Sequence, residues 1–211
     1  SAKSVSSCEA DGYKGQELDP ATNAYKEVAR FNPADDAIPD AYSRVVTLNN
    51  TRMRVAASEG TTSWQVVEAL KSIDILTGDI PEVPAEGSLA PDSYEIRTGD
   101  LRVDILSRMA LAQEGRLADV WATRDDTTPV ETIDQLLVLA SIIEKETGFF
   151  DERFQVASVF ANRLDKGMPL QTDPTVIYGI TLGKGPLGRG LRKSELRRDT
   201  PWNTYVNRGL P

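Results

Sequence analysis

The sequence predicts an α+β protein in two parts, a small strand–helix module followed by a helix-based domain. The patterning changes near residue 98, from short strands and proline-rich segments to long amphipathic helices. The chain has 211 residues, of which 40% are apolar and 27% charged, which is typical of a globular protein with a buried core. The predicted parts are an irregular lead-in at 1–43, the module at 44–97 and the helical domain at 98–211.

The front of the chain is predicted to hold one hairpin and one helix. The lead-in is polar and interrupted by glycine and proline, so it has room for no more than a short strand. Arg44 to Leu48 and Thr51 to Ala57 have strand composition and are joined by the turn pair Asn49-Asn50. A helix then begins with Ser63 as its N-cap and ends near Gly78. Its apolar residues have helical spacing: Trp64, Val66, Val67, Leu70 and Ile73.

Three helical patterns follow in the second part. The first covers 100–121. The second begins with the capping box Thr128-Pro129-Val130-Glu131 and ends at Gly148. The third runs from about Asp151 to Lys166, and we expect its apolar residues to face inward: Phe154, Ala157, Phe160, Ala161 and Leu164. The rest of the chain is rich in glycine and proline and is predicted to be loop.

Composition excludes several classes of chemistry. The chain contains no histidine and one cysteine, so it has no histidine base, no histidine-ligated zinc and no intramolecular disulfide. Acid–base chemistry therefore falls to carboxylates, lysine or tyrosine. Residues 1–130 carry a net charge of −9, from 13 basic and 22 acidic residues, which argues against a nucleic-acid partner. No apolar stretch approaches 18 residues, and the first residues lack the apolar region of a signal peptide.

Glu146 is the most informative position. It follows Ile142 and Ile143 by four and three residues, which predicts that its carboxylate turns toward the apolar side of its helix. Partial desolvation and the negative end of the helix dipole would both raise its pKa above the ordinary value of about 4.3. Glu146 is thus a candidate general acid. The alternative is an ordinary solvated glutamate at a fraying helix end.

Three other patterns carry weaker functional hypotheses. Ser141 and Lys145 share a helix face and could form a Ser–Lys hydrolase pair, although that spacing is common by chance. Residues 183–188 match GxGxxG, but no strand clearly precedes them, which favours a loop over a dinucleotide site. The basic run of Arg192, Lys193, Arg197 and Arg198 is typical of a solvated face, and it could also meet an acidic polymer.

Two late segments have the composition of a sugar-binding groove. Residues 171–179 and 201–205 are rich in hydroxyl, amide and aromatic side chains, which hydrogen-bond or stack on sugars. The alternative is turn formation, because Asp-Pro and Asn-Thr also favour turns. The candidate substrate-binding residues are Gln171, Thr172, Asp173, Tyr178, Asn203 and Tyr205.

Together these residues resemble the endolytic murein transglycosylases, the MltG or YceG-like family. The resemblance is carried through about 80 residues by four segments: Ala140 to Thr147, Val156 to Leu164, Leu170 to Gly179, and Trp202 to Tyr205 with Gly209-Leu210-Pro211. Residues 57–67 and 89–94 are less strictly similar to the LysM-like region of that family.

The resemblance implies a lyase that cuts the β-1,4 bond between N-acetylmuramic acid and N-acetylglucosamine in peptidoglycan and leaves 1,6-anhydro ends, in cell wall assembly. It assigns the catalytic carboxylate to Glu146, requires no metal or organic cofactor, and makes 44–97 LysM-like and 98–211 the catalytic domain. It also implies an inner-membrane protein with one N-terminal span, its catalytic part in the periplasm and peptidoglycan synthases as candidate partners. We expect that anchor to lie outside this sequence and the catalytic domain to be truncated at its C-terminus.

Two alternatives from other classes stay open at the level of sequence. A peptidoglycan-binding protein without activity would keep the polar groove and front module but lack a catalytic acid. An amidase would depend on Ser141 and Lys145.

Overall fold

The computed structural model describes residues 4–9, 12–19, 21–22, 24–31, 37, 39–47 and 51–211. Within these ranges lie five strands, six α-helices and one 3-10 turn at Phe150–Glu152, so the predicted mixture of helix and strand is confirmed. None of the described helices is long and apolar enough to cross a membrane. The elements in chain order are β1 Ser4–Glu9, β2 Gly12–Asp19, β3 Ala24–Phe31, α1 Asp40–Thr47, β4 Thr51–Ala56, α2 Ser63–Lys71, β5 Ser93–Ile96, α3 Arg102–Thr123, α4 Ile133–Glu146, α5 Arg153–Asp165 and α6 Asp173–Thr181.

The strands form one sheet in the order β3-β2-β1-β4-β5. β1 pairs with β2 antiparallel and with β4 parallel, while β5 pairs antiparallel with β4. The predicted irregular lead-in is therefore wrong, since β1, β2 and β3 all lie within 1–43. β1 and β2 are rich in polar residues and β2 contains two glycines, which lowers local strand propensity. The three strands pair as two successive hairpins, β1 with β2 and β2 with β3, and β1 also pairs with β4.

The strand predicted over Arg44 to Leu48 is also wrong. Asp40–Thr47 is helix α1, which starts directly after Pro39 with an acidic residue in its first turn. The β-branched residues at its end suggested a strand, but the start signal is helical. The predicted turn at Asn49-Asn50 lies outside the described residues. β4 falls within the predicted Thr51 to Ala57.

The chain divides into two compact units. Unit 1 contains the described residues up to Thr61, with 66–83 and 89–111, and unit 2 contains 62–65, 84–88 and 112–211. The predicted boundary near residue 98 lies inside unit 1.

Unit 1 is built around an aliphatic core contributed by β4, β5, α2 and α3. Met53 and Val55 alternate on β4 and so face the same side of the sheet. Arg102 closes the end of α2, because its guanidinium donates to the carbonyl oxygens of Leu70 and Ile73 at 2.9 and 3.0 Å. The buried core residues are Met53, Val55, Val66, Val67, Leu70, Ile73, Leu76, Ile96, Ile105, Leu106 and Met109.

The start of α2 is capped one residue earlier than predicted. Thr62 Oγ1 accepts from the Gln65 amide at 3.2 Å, and Gln65 Oε1 accepts from the Thr62 amide at 3.0 Å. This reciprocal pair is a capping box. Ser63, the predicted cap, is the first helical residue, and its hydroxyl donates to the carbonyl oxygen of Ala85. The helix ends at Lys71, before the predicted Gly78.

α4 also begins later than its predicted capping box. Thr132 is the N-cap, and its hydroxyl accepts from the amide of Gln135 at 3.1 Å. The predicted box at Thr128 to Glu131 therefore lies outside the helix. α4 ends at Glu146, and the chain leaves it through Thr147 in an extended conformation.

Unit 2 packs α4 against α5 around a smaller core. Its buried members are Val130, Leu139, Ile142, Phe160 and Leu170. The prediction that Phe154 faces inward is wrong, since that side chain is 76% exposed. Val156, Phe160 and Leu164 form the inward stripe of α5, and Phe154 lies two residues, or about 200°, from Val156 around the helix.

α6 was not predicted, because its sequence was interpreted as polar loop. It begins with Asp173-Pro174, where the missing proline amide costs no hydrogen bond and the acidic side chain suits the helix dipole. α6, rather than a strand, precedes the glycine-rich segment at 183–188. That order does not fit a dinucleotide-binding loop.

Candidate active site

Glu146 is the last residue of α4, and its side chain is exposed. The predicted partial burial against the apolar stripe is wrong, because the buried residues of α4 are Leu139 and Ile142 and the stripe leaves the core before its last turn. One carboxylate oxygen, Oε1, instead accepts a hydrogen bond from the Thr172 hydroxyl. The carboxylate is therefore accessible to solvent and fixed through one oxygen.

Thr172 is held in place by two other buried threonines. Its amide donates to Thr204 Oγ1 at 3.1 Å, and its carbonyl oxygen accepts from Thr175 Oγ1 at 2.9 Å. The Thr175 and Thr204 hydroxyls lie 2.9 Å apart and hydrogen-bond each other. Thr172 and Thr204 are each only 1% exposed. The threonine cluster, Thr172, Thr175 and Thr204, thus fixes the hydroxyl of Thr172 that contacts Glu146.

Thr172 is also the N-cap of α6, yet its hydroxyl caps nothing. Its backbone is extended as an N-cap requires, but the side chain makes no capping hydrogen bond. An N-cap hydroxyl contributes about 1 kcal/mol to a helix. Here that hydroxyl donates to Glu146 instead. α6 therefore lacks the stabilisation of a side-chain cap, and the carboxylate of Glu146 is held in position.

The residue before Thr172 adopts an uncommon backbone conformation. Gln171 has a φ of 52°, in the left-handed region that non-glycine residues rarely enter. Its amide donates to the carbonyl oxygen of Thr204 at 3.0 Å, which ties this turn to the same buried segment. Strain of this kind is kept where surrounding contacts fix the backbone, often at functional sites.

Asp173 and Tyr205 form a second pair beside Glu146. The Tyr205 hydroxyl donates to Asp173 Oδ1 at 2.7 Å. This hydrogen bond to a carboxylate, together with burial and the charges of Asp173 and Glu146, raises the pKa of Tyr205 to about 12. Tyr205 therefore stays neutral and donates a proton in a hydrogen bond throughout the physiological range.

Arg163 brings a positive charge to the same place. Its guanidinium, from α5, donates to the carbonyl oxygen of Leu170, and its charge opposes the rise in the pKa of Tyr205. The site thus combines two carboxylates, one tyrosine and one arginine. It is assembled from the end of α4, from α5, from the start of α6 and from residues 203–205.

Two of the predicted groove residues lie elsewhere in unit 2. The Tyr178 hydroxyl donates to Glu86 Oε2 at 3.5 Å, and burial and the charge of Glu86 raise its pKa. The Asn203 side chain is 1% exposed, and its amide nitrogen donates to three carbonyl oxygens, including that of Arg198 at 2.7 Å. Asn203 therefore anchors a loop and presents no polar atom to a ligand.

No hydrogen bond joins Ser141 and Lys145, which both lie in the described helix α4. The Ser141 hydroxyl donates to the carbonyl oxygen of Val138 at 2.7 Å, one turn earlier on α4. Glu144, two residues before Glu146, is partly buried and pairs with Arg153 at 2.9 Å. Among the described residues, no group of three or more acidic or cysteine side chains could hold a metal ion.

Comparison with known proteins assigns the chain to a family. The model of the YceG-like family matches residues 33–211, which is most of the chain. The chain belongs to the YceG-like family. It is also similar to the crystal structure of a YceG-like protein from Listeria monocytogenes, with a TM-score of 0.54 and 28% identity over 76% of this chain and 61% of that one.

Two curated relatives have names that state an activity. The endolytic murein transglycosylase of Bacillus subtilis strain 168 is 38% identical over 127 residues, covering 60% of this chain and 34% of the relative. The endolytic murein transglycosylase of Streptococcus pneumoniae strain D39 is 32% identical over 130 residues, covering 59% and 22%. The chain thus matches 34% and 22% of the length of these relatives.

Sequence reasoning missed three residues of this site. Thr175 and Thr204 lie in the two polar segments at 171–179 and 201–205, but no sequence pattern shows that their hydroxyls are buried. Arg163 lies in the Val156 to Leu164 segment that carries the resemblance, and a cation inside an otherwise matching motif was the available signal.

Proposed function

We propose that this chain cuts the β-1,4 bond between N-acetylmuramic acid and N-acetylglucosamine in peptidoglycan and leaves a 1,6-anhydro end. The observation that carries the proposal is Glu146, an exposed carboxylate held through one oxygen by a buried hydroxyl. The names of the two curated relatives support the substrate and the type of reaction.

In the first step, Glu146 acts as the general acid. Thr172 donates to Oε1, so the transferable proton is carried by Oε2. Oε2 gives that proton to the glycosidic oxygen while the bond from that oxygen to C1 of the muramic acid breaks through an oxocarbenium-like state. The leaving sugar takes the bonding electron pair and departs with a neutral hydroxyl.

In the second step, the same carboxylate acts as the base. The C6 hydroxyl of the muramic acid attacks C1 and forms the 1,6-anhydro bond, and its proton returns to Glu146. The residue ends the cycle as it began, so the chemistry needs no water, no cofactor and no second carboxylate. Thr172 helps because it fixes the carboxylate, which can then reach the glycosidic oxygen in the first step and the C6 hydroxyl in the second without reorganising.

A hydrolase is the main competing chemistry, because Asp173 supplies a second carboxylate near Glu146. Glycosidases use such a pair to activate water or to form a covalent intermediate. Asp173, however, already accepts a hydrogen bond from Tyr205, whose raised pKa keeps that proton in place. We therefore assign Asp173 and Tyr205 to substrate binding, together with Gln171 and the more distant Tyr178.

Digestion of purified sacculi followed by mass analysis of the products tests the proposal. We expect 1,6-anhydro muropeptides, which are lighter by one water than the products of a hydrolase. Products with reducing ends would indicate a hydrolase instead of a lyase, and freed peptides would indicate an amidase. Binding without cleavage would leave only a peptidoglycan-binding role. Because the chain matches only about a third or less of the length of its curated relatives, the full-length protein is the sample to use.

We also propose that the front module, 44–97, is LysM-like and holds glycan. Trp64 is half-buried at the start of α2 and is its aromatic candidate. Because β4 pairs with β1, the module cut out at residue 44 would lose a neighbouring strand. The test is therefore Trp64→Ala in the whole chain, with sedimentation on sacculi as the readout. Unchanged sedimentation would remove Trp64 from the binding surface.

Finally, we propose that the whole protein works in the periplasm, where its substrate lies. The family resemblance adds a single N-terminal span in the inner membrane, with peptidoglycan synthases as neighbours. Fractionation of cells that express the full-length protein tests the anchor, and cross-linking in the same cells tests the partners. Recovery of the protein with the cytoplasmic fraction would overturn this placement.

A further inference from the structure

The most basic stretch of this acidic sequence lies in unit 2. The basic loop, residues 184–198, carries six lysine and arginine residues and one glutamate, although the whole chain has a net charge of −8. Its cations are Lys184, Arg189, Arg192, Lys193, Arg197 and Arg198. A cluster of like charges repels itself, so an ordered cluster needs something that holds it.

An internal ion pair closes the basic loop. The Arg189 guanidinium donates to both oxygens of Glu195, at 2.9 and 2.5 Å. Glu195 also accepts from the backbone amide of Arg192 at 2.8 Å. These contacts, with Arg189 first, hold the pKa of Glu195 at about 2, so the carboxylate stays charged. Glu195, the one acidic residue in the sequence of the loop, is thus paired with Arg189.

Buried Asn203 holds the backbone of the basic loop. Its buried amide nitrogen donates to the carbonyl oxygens of Glu195, Leu196 and Arg198. The next residue, Thr204, belongs to the cluster that positions Glu146 through Thr172. One buried dipeptide, Asn203-Thr204, therefore supports both the basic loop and the catalytic candidate.

Four cations of the loop remain unpaired. Arg192, Lys193, Arg197 and Arg198 are exposed and form no ion pair within the part of the chain that the structure describes. Their backbone is already held by the hydrogen bonds from Asn203, so binding an anion would not require folding of the loop. An ordered surface with several unpaired cations is suited to a ligand with several negative groups.

We propose that the basic loop binds the carboxylates of the peptide stems on the same murein strand whose glycan reaches Glu146. This inference rests on the proposed function, which supplies the polymer. The groups beside Glu146 suit the hydroxyls and amides of the sugars, whereas the stem peptides carry repeated carboxylates. Because Asn203-Thr204 supports both the basic loop and the groups beside Glu146, it would keep the distance between these two binding regions constant.

The test is a binding measurement that needs no turnover. In a Glu146→Gln background, R197Q/R198Q is compared with K26Q/K166Q, which removes two charges at exposed lysines elsewhere. Sedimentation is measured on sacculi and on glycan strands stripped of stems by an amidase. On sacculi we expect R197Q/R198Q to bind about tenfold more weakly, with a difference that shrinks as salt rises. On stripped strands the two variants should bind alike.

The variant R197K/R198K keeps the charge and should restore most of the binding, and circular dichroism checks that each variant is folded. Equal binding of R197Q/R198Q and K26Q/K166Q to sacculi would overturn the inference. So would an equal loss on stripped strands, or a loss that disappears once phosphate polymers are removed from the wall. A failure of the proposed function would appear separately, as absence of anhydro products from the protein with Glu146 intact.

Discussion

The interiors of the two units differ in chemistry. In unit 1, the described buried residues that form the core are aliphatic, from Met53 on β4 to Met109 on α3. Unit 2 has a smaller apolar core and, in addition, buries polar side chains. These are Ser63, Gln113, Thr147, Thr172, Thr175, Asn203 and Thr204. Burial of apolar area is non-directional, whereas a buried polar group fixes the direction of its partner.

The contrast shows which part of the molecule fixes the positions of particular side chains. A buried hydroxyl or amide left without a partner costs about 1–3 kcal/mol, so each polar group in unit 2 specifies the position of another. Thr172 specifies Glu146, and Asn203 specifies the basic loop. Thr147, directly after Glu146, donates to Glu152 at 2.8 Å and accepts from the Phe149 amide, which fixes the chain leaving α4.

The largest expected effect tests whether unit 2 holds the chemistry. Glu146→Gln keeps the size of the side chain but removes its transferable proton. Loss of general acid–base catalysis reduces turnover by about 10²–10⁴-fold, and the upper end is expected because one residue serves as both acid and base. Release of 1,6-anhydro products is measured against the full-length wild type, and the melting temperature should stay nearly unchanged.

Glu144→Gln is the matched control, since it removes one charge from the same turn of α4. It breaks the ion pair with Arg153, which is partly exposed and contributes about 0.2–1 kcal/mol. The control should therefore lower stability slightly and keep most of the turnover. The reverse pattern, with Glu144→Gln inactive and Glu146→Gln active, would show that the wrong carboxylate has been assigned.

The next effect tests the apolar interior of unit 1. Leu70 is fully buried on α2, and Leu70→Ala should reduce the free energy of unfolding by about 2–5 kcal/mol through lost contacts and a cavity. Urea denaturation gives this value. Leu70→Met, which nearly conserves volume, should cost less than about 1.5 kcal/mol. Equal losses for the two variants would mean that something other than packing is being measured.

The same contrast explains what the sequence could predict. Apolar periodicity located α2, α3, α4 and α5, because burial on a helix face leaves a local pattern. β1 to β3 were missed because glycine, proline and many polar residues in 1–43 favour irregular chain, although the strands pair as two successive hairpins. α6 was missed because its first turn is Asp-Pro, which also reads as a turn. Both predicted N-caps were displaced, since Ser63 and Thr128 lie close to the threonines that actually cap.

The site was predictable only in part, because its contacts join residues that are far apart in the chain. Glu146 was selected from helix spacing and from the resemblance, but the predicted burial is wrong and its catalytic role stays a prediction. The hydroxyls of Thr175 and Thr204 act through partners about 30 residues apart in the chain, and no local pattern predicts them. The sequence predicts Asn203 as a groove residue, because composition does not show whether an amide faces inward, and the structure buries it.

A smaller effect tests whether the threonine cluster acts on the reaction. Thr172→Val keeps the shape of the side chain and removes the donor to Glu146. A hydrogen bond to a charged group contributes about 1.5–3 kcal/mol, so turnover should fall by about tenfold or more. Thr172→Ser restores the hydroxyl and should recover most of the rate. The decrease should appear in kcat rather than KM, and a change confined to stability would make the cluster purely structural.

The smallest effect concerns Tyr205, whose pKa of about 12 lies above its ordinary value near 10. Because the folded state favours the neutral phenol, the stabilisation is complete below pH 10 and is lost as the pH rises through 12. Tyr205→Phe lacks this contribution, so its unfolding free energy should fall less steeply than that of the wild type over that window. Asp173→Asn removes the anion that accepts from Tyr205 and should bring its titration, followed by tyrosinate absorbance, back toward pH 10. If Tyr205 of the wild type titrates near pH 10, its hydrogen bond to Asp173 is not formed. Asp173 would then be available as a second catalytic carboxylate beside Glu146.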